Sequence, residues 1–177
     1  FTDGNCYGII GANGAGKTTT VKMLNGLQRP TGGDVLIGEM NTKQYTTAQV
    51  SRVVGYVFQN PDDQIFHSTV YDEVAFGPKN QKLPPEQFEA QVEKALLMTG
   101  MDQFRDENPF NLPLSVRKFV TIAAIIAMDT SVLIFDEPTA GQDLEGNRRL
   151  GEILRQLHEE GKTVITISHD MDFVVEN

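Results

Sequence analysis

Apolar runs alternate with amphipathic stretches along most of the chain. The short runs predict strands, which lie at residues 6–10, 34–38, 53–58, 131–135 and 163–167. Residues 18–27 and 144–160 carry apolar side chains at spacings of three and four, which predicts helices. Strands that alternate with helices predict an α/β core, and the continuous apolar character of residues 131–135 is typical of a strand buried in a mostly parallel sheet.

The middle of the chain has a purely helical pattern. It predicts three helices, at residues 69–76, 85–99 and 112–127. We therefore expect a single domain in which an all-helical lobe, residues 69–127, is inserted into an α/β core formed by residues 1–68 and 128–177.

Composition narrows the class of protein. The 177 residues suit one domain, and the formal net charge of −9 disfavours nucleic acid as a partner, because a phosphate backbone requires a basic face. A single cysteine, Cys6, excludes an internal disulfide and fits a reducing compartment. The longest apolar stretch, residues 119–128, is too short to span a membrane. The chain opens on Phe1, and we expect it to be a piece of a longer protein.

A glycine-rich motif follows the first predicted strand and precedes the first predicted helix. The motif G-x-x-x-x-G-K-[ST] is typical of loops whose backbone N–H groups converge on phosphate oxygens. Within it, Lys17 is expected to neutralise the β- and γ-phosphates, and the Thr18 hydroxyl is expected to be a ligand of Mg²⁺. The predicted nucleotide-binding residues are Gly11, Ala12, Asn13, Gly14, Ala15, Gly16, Lys17, Thr18 and Thr19.

Two carboxylates and a histidine follow later strands. Asp136 and Glu137 end the apolar run 131–135, so the sheet should present both at its carboxyl edge, where ligands bind in open α/β folds. We predict that Asp136 holds Mg²⁺ and that Glu137 is the general base for an attacking water. His169 follows the strand at 163–167 and should reach the same edge, where it could sense or stabilise the γ-phosphate.

These motifs, in this order and together with Gln59, Pro138-Thr139 and the segment 140–143, resemble the motif set of ATP-binding-cassette (ABC) ATPases over almost the whole chain. Residues 57–66 and 75–80 look more narrowly like the cobalt-type, energy-coupling-factor branch, which drives uptake of vitamins and transition-metal ions. The resemblance implies the P-loop NTPase fold of ABC ATPases. It also implies that the small antiparallel subdomain near the N-terminus is incomplete here.

The resemblance further implies roles and partners. Gln59 would link Mg²⁺ and the attacking water to the helical lobe, Asp143 would lie in a loop that crosses a dimer interface, and His169 would be the switch histidine. In such proteins two ATPase domains enclose two ATP molecules, and the helical lobe grips a transmembrane transporter subunit. The expected partners are therefore a second ABC ATPase domain and a membrane subunit, at the cytoplasmic face of the cell membrane.

The chain departs from the family at the Leu-Ser-Gly-Gly-Gln signature. An ungapped count back from Asp136 places that signature on residues 112–116, where the chain reads Leu-Pro-Leu-Ser-Val. Pro113 has no N–H to donate, and Leu114 puts a side chain where a backbone should approach phosphate closely. We therefore expect an asymmetric pair, with a second cassette that is non-identical or fused.

Three other functions compete with this interpretation. A cassette ATPase of DNA repair or chromosome organisation would carry a long coiled coil, and a phosphate-loop kinase would not need Glu137 beside Asp136 with His169 at the next strand. A non-hydrolysing nucleotide-binding partner of an active cassette is favoured by the altered signature and disfavoured by Glu137 and His169. Vitamin and metal ion are equally compatible as the transported solute.

Overall fold

A four-stranded, all-parallel sheet forms the centre of the molecule. The computed structural model describes residues 1–176. The sheet has the order β1-β6-β5-β4, and its strands are β1 (Cys6–Ile9), β4 (Val54–Val57), β5 (Val132–Asp136) and β6 (Thr163–Ile167). Its register pairs Phe135 with Thr166 and Asp136 with Ile167, so β5 and β6 end at the same level. The α/β class and the parallel core predicted from the sequence are confirmed.

Two hydrophobic clusters sandwich this sheet, because successive strand residues face opposite sides. Leu133 and Phe135 belong to the larger cluster, whereas Ile134 between them belongs to the smaller one. The strands β4, β5 and β6 are buried on both faces, as the apolar runs predict. By contrast, β1 lies at an edge of the sheet and alternates exposed with half-buried residues.

Short helices and an antiparallel pair flank the smaller cluster. Val21 of α1 (Lys17–Leu24) and Val50 of α2 (Thr47–Val50) are fully buried in it. The predicted strand at 34–38 is only two residues long, β2 (Leu36–Ile37), because Gly38 turns the chain with a φ of 56° into the antiparallel partner β3 (Met40–Asn41).

The middle of the chain forms three mutually packed helices, α3 (Val70–Gln81), α4 (Pro85–Thr99) and α5 (Leu114–Ala127). The first continues beyond the predicted end at 76 and includes Pro78. Its last turn is held by the Gln81 side chain, which donates a hydrogen bond of 2.8 Å to the Met128 carbonyl. Helix α5 also contacts β4, so its apolar residues join the same core as the sheet.

The last elements follow the predicted order. Helix α6 (Leu144–Glu159) packs Leu150, Leu154 and Leu157 into the larger cluster. A short helix that the periodicity did not predict, α7 (Met171–Glu176), contacts α6. Over the part of the chain that the structure describes, no helix has the length and hydropathy needed to cross a membrane.

The tight contact between β4 and α5 generates a stability prediction. A Cβ atom on Gly55 would lie 2.5 Å from Ile125 Cγ2 and 2.9 Å from Thr130 Oγ1. We expect Gly55→Ala to lower the free energy of unfolding by about 1–3 kcal/mol, because the close-packed neighbours must shift. Urea denaturation measures this, with Gly32→Ala as the control, since a Cβ there meets no atom within 4 Å. Equal stability of the two variants would contradict this packing.

Candidate functional site

The carboxyl ends of the four parallel strands deliver the predicted site residues to one edge of the sheet. The glycine-rich loop follows β1, Gln59 follows β4, Asp136 ends β5 and His169 follows β6. An open cavity of about 410 Å³ lies at this edge. Its lining residues are Asn13, Gly14, Ala15, Gly16, Lys17, Thr18, Thr19, Gln59 and Glu137.

At two positions, the backbone of the glycine-rich loop has a conformation that only glycine adopts readily. Gly14 and Gly16 have φ values of 80° and 86°, and the Ala15 N–H donates a 3.1 Å hydrogen bond to the Ala12 carbonyl. Helix α1 begins directly after Gly16, and no side chain caps it. Its first N–H groups and its positive end therefore face the cavity, as an anion site requires.

Lys17 lies across this loop. Its ammonium donates hydrogen bonds to the carbonyls of Gly11, at 2.8 Å, and Ala12, at 3.2 Å. These bonds are solvent-exposed, so phosphate oxygens can replace the carbonyls at little cost. Gly11 and Ala12 thus orient the lysine beside the cavity, although they do not line it.

Asp136 is held by two hydroxyl groups, one on each carboxylate oxygen. The carboxylate is only 2% exposed; Oδ1 accepts a 3.1 Å hydrogen bond from the Thr18 hydroxyl, and Oδ2 accepts one of 2.7 Å from the Tyr56 hydroxyl. Burial raises the pKa of Tyr56 far above its ordinary value, and the hydrogen bond to Asp136 and the charge of Asp136 raise it further. Tyr56 therefore stays protonated and keeps donating.

The donor set around Thr18 consists of oxygen atoms, which suit Mg²⁺. Among residues 1–176, no group of three or more His, Cys, Asp or Glu side chains could hold a metal ion on its own. Mg²⁺ is usually bound by one or two protein oxygens together with phosphates and water. The Thr18 hydroxyl and the Asp136 carboxylate, already within hydrogen-bond distance of each other, fit that pattern.

Glu137 and His169 form a direct contact at the cavity wall. Glu137 is 7% exposed, and its Oε2 lies 2.7 Å from His169 Nδ1 and accepts a 3.3 Å bond from the His169 backbone N–H. The imidazole itself is 66% exposed. One carboxylate oxygen is thus oriented by a ring that water or a ligand can reach.

The backbone of Glu137 is anchored on both sides. Its φ of 49° is in the left-handed region, and its N–H donates to the Ile167 carbonyl at 2.9 Å. The Lys118 ammonium donates to the carbonyls of Glu137, at 3.0 Å, and Ala140, at 3.3 Å. Burial lowers the pKa of Lys118, whereas the charges of Glu137 and Asp136 act in the opposite direction.

The segment aligned with the signature lies at the start of α5. Pro113 is the N-cap residue, no side chain caps the helix, and Leu114 is exposed. The Gln142 side chain donates a 3.0 Å bond to the Ser115 carbonyl, which joins this segment to the loop before α6. Asp143 accepts a 2.8 Å bond from the Gly146 N–H and so caps α6.

Sequence reasoning missed two residues at the site, Tyr56 and Lys118. Tyr56 looks like an ordinary aromatic strand residue, and only the register of β4 with β5 brings it near Asp136. Lys118 did leave a signal, since a lysine that interrupts the apolar face of a buried helix needs a partner.

The sequence has close relatives among known proteins. A profile of the ABC transporter family matches residues 1–140. A Pyrococcus furiosus protein described as an ABC transporter ATP-binding protein is 48% identical over 98% of this chain and 67% of its own length. The energy-coupling factor transporter ATP-binding protein of Methanocaldococcus jannaschii is 44% identical over 97% of this chain and 62% of its own. The chain thus spans about two thirds of these relatives.

Solved structures have the same fold. The structure of cbiO1 from Clostridium perfringens, described as part of the ABC transporter complex cbiONQ, is 35% identical and superposes with a TM-score of 0.86. It matches 98% of this chain and 70% of that one. A dimeric cassette in a post-hydrolysis state with ADP and Pi has a TM-score of 0.89 at 24% identity, over 99% of this chain and 79% of that one.

The Tyr56–Asp136 contact generates a second prediction. We expect Tyr56→Phe to lower the free energy of unfolding at neutral pH by about 1–3 kcal/mol, because a buried carboxylate oxygen loses its donor. Urea denaturation measures the change. Tyr45→Phe, which removes a hydroxyl from a solvent-exposed ring, is the matched control. An equal loss in both variants would argue against a specific role for the Tyr56 hydroxyl.

Proposed function

Since the chain belongs to the ABC transporter family and is one of its ATPases, we propose that it hydrolyses ATP at the cavity described above and so powers an energy-coupling-factor type importer. The observation that carries the proposal is the Glu137–His169 contact at the wall of the cavity that the phosphate loop lines. A site for nucleotide binding alone has no need of a carboxylate oriented in this way.

We assign phosphate binding to residues 11–19. The uncapped start of α1 and the loop N–H groups would hold the β- and γ-phosphates, and Lys17 would exchange its bonds to Gly11 and Ala12 for phosphate oxygens. Thr18, Asp136 and Gln59 would hold Mg²⁺, which neutralises the negative charge that builds up on the phosphates. Gln59 is exposed at the cavity, two residues after the end of β4, and its side chain would reach the nucleotide.

Glu137 would act as the general base. An attacking water forms the new bond to the γ-phosphorus and gives its proton to Glu137, while the bond to the leaving ADP breaks. Within residues 1–176, both hydrogen bonds of the carboxylate involve Oε2, which would leave Oε1 to accept that proton. His169 would orient the base, and its ring, which is exposed to solvent, would meet the γ-phosphate.

A second cassette is the proposed partner in turnover. The start of α5 would bind poorly to a phosphate held by another subunit. Pro113 has no N–H to donate, and the Leu114 side chain would obstruct close approach of the backbone. This site would therefore depend on an intact signature from a cassette that is non-identical or fused. The chain itself would contribute a weak signature in return.

A transmembrane subunit is the second proposed partner. The ring cluster of Phe66, His67 and Phe76 lies at the start of the proposed helical lobe, residues 69–127; both phenylalanines are exposed and their ring centroids are 4.9 Å apart. The buried carboxylate of Glu73 holds this ring cluster in place, because it accepts a 2.9 Å hydrogen bond from the His67 backbone N–H. The proposed location is the cytoplasmic face of the membrane, and the solute is a vitamin or a transition-metal ion.

The altered signature also favours a second candidate function. A cassette that binds ATP without turnover would regulate an active partner by dimerising with it. The substitutions at residues 112–116 are the observation in favour, and the oriented Glu137 is the observation against.

The first functional experiment measures steady-state ATP hydrolysis by the chain alone and after mixing with an intact-signature cassette that lacks its own base. We expect turnover only in the mixture. Glu137→Gln should lower it by about 10²–10⁴-fold, the usual contribution of a general base, while Mg-ATP binding by calorimetry is unchanged. The exposed Glu159→Gln is the control and should be fully active. Retained Mg-ATP binding without turnover in either setting would favour the regulatory function.

Restoring the signature tests the asymmetric pairing. We expect Pro113→Ser, Leu114→Gly, Ser115→Gly and Val116→Gln together to raise hydrolysis by the chain alone by about 10²-fold, because aligned N–H donors typically contribute that factor. The same variant with Glu137→Gln is the control and should be inactive. Hydrolysis by the unmodified chain that already equals the restored rate would refute the pairing.

A further inference from the structure

A buried lysine connects the start of α5 to the backbone of the Glu137 loop. Lys118 is only 3% exposed, an unusual environment for a flexible cation, and residues 119–122, which follow it on the helix, are buried as well. Among residues 1–176 no carboxylate lies within salt-bridge distance of its ammonium, which donates instead to the carbonyls of Glu137 and Ala140. The buried ammonium of Lys118 therefore stabilises the conformation of the short loop at residues 137–140 through hydrogen bonds.

The conformation of that loop is strained at Glu137. Its φ of 49° is one that side-chain-bearing residues rarely adopt, and it persists only where the surroundings hold it. The Glu137 N–H donates a 2.9 Å hydrogen bond to the Ile167 carbonyl of β6. The Glu137 carbonyl accepts hydrogen bonds from the Lys118 ammonium and, at 3.2 Å, from the Ala140 N–H.

These two anchors determine where the Glu137 side chain points. With both neighbouring peptide groups fixed, the Cα–Cβ bond has one direction, and it carries Oε2 to 2.7 Å from His169 Nδ1. Without the hydrogen bond from Lys118, the Glu137 carbonyl could rotate, and the φ of Glu137 could move to an ordinary negative value. The carboxylate would then leave the cavity wall.

We propose that Lys118 is a positioning residue for Glu137: its hydrogen bonds to the Glu137 and Ala140 carbonyls hold the left-handed backbone that aims the carboxylate at the cavity. This inference rests on the proposed role of Glu137 as the general base.

The test uses Lys118→Met, which keeps the length and apolar body of the side chain and removes its donors. In the mixture with the intact-signature cassette, kcat should fall by about 10²-fold, as expected when a reacting group is displaced by about 1 Å, and KM for ATP should be unchanged. In the chain alone, hydrogen–deuterium exchange of the amides in residues 136–142 should become faster. Lys118→Gln, which retains a side-chain NH₂ donor group, should recover part of both properties.

Lys162→Met is the matched control. Lys162 also donates to the carbonyl of a left-handed residue, Asp129, whose φ is 53°, at a distance of 3.2 Å. It lies outside the candidate site, so its loss should leave kcat and the exchange of residues 136–142 unchanged. A wild-type kcat for Lys118→Met overturns the inference. So does unfolding of both Lys118 variants at the assay temperature, because the lysine would then be a structural residue.

The Glu137→Gln variant separates this inference from the proposed function. If Glu137→Gln is inactive and Lys118→Met is as active as the unmodified chain, only the positioning role fails. If Glu137→Gln remains active, the assignment of the base fails, and the positioning role fails with it. In the double variant, Lys118→Met should cause no further loss, because residues that act as one unit are not additive.

Discussion

The parallel register of the central sheet is the constraint on which the site depends. Because β1, β4, β5 and β6 all run in one direction, their carboxyl ends meet at one edge, and four segments far apart in the chain converge there. The burial of β5 and β6 on both faces makes this register hard to shift, since a slip of one residue would move Phe135 and its neighbours to the wrong cluster. The geometry of the cavity is therefore a consequence of the core.

Much of this arrangement can be predicted from the sequence. The apolar run before Asp136, the β-branched strand before His169 and the glycine-rich loop before Lys17 each indicate a strand end, and the α/β class with its parallel sheet follows from their order. What periodicity cannot supply is contact between side chains of different elements. Tyr56 reaches Asp136 and Lys118 reaches Glu137 through tertiary packing, and the local spacing does not identify the partner of either residue.

Element ends were predicted less well, for physical reasons visible in the contacts. The end of α3 lies beyond the predicted one because a tertiary bond from Gln81 to the Met128 carbonyl supports a last turn that Pro78 would otherwise disfavour. β2 is shorter than its apolar run because Gly38 turns the chain at once. In both places tertiary or turn geometry outweighs local preference.

The two carboxylates at the site differ in what holds them. Asp136 has hydroxyl donors on both oxygens, which hold its carboxylate in place, whereas Glu137 has one oriented oxygen and a strained backbone. The anchor of that backbone, Lys118, lies one helical turn after Leu114 on α5. A partner that moves the start of α5 would therefore also move the ammonium that holds the Glu137 carbonyl. In the proposed mechanism, Lys118 would thus connect the altered signature to Glu137, and contact with a second cassette would have a short physical route to the proposed base.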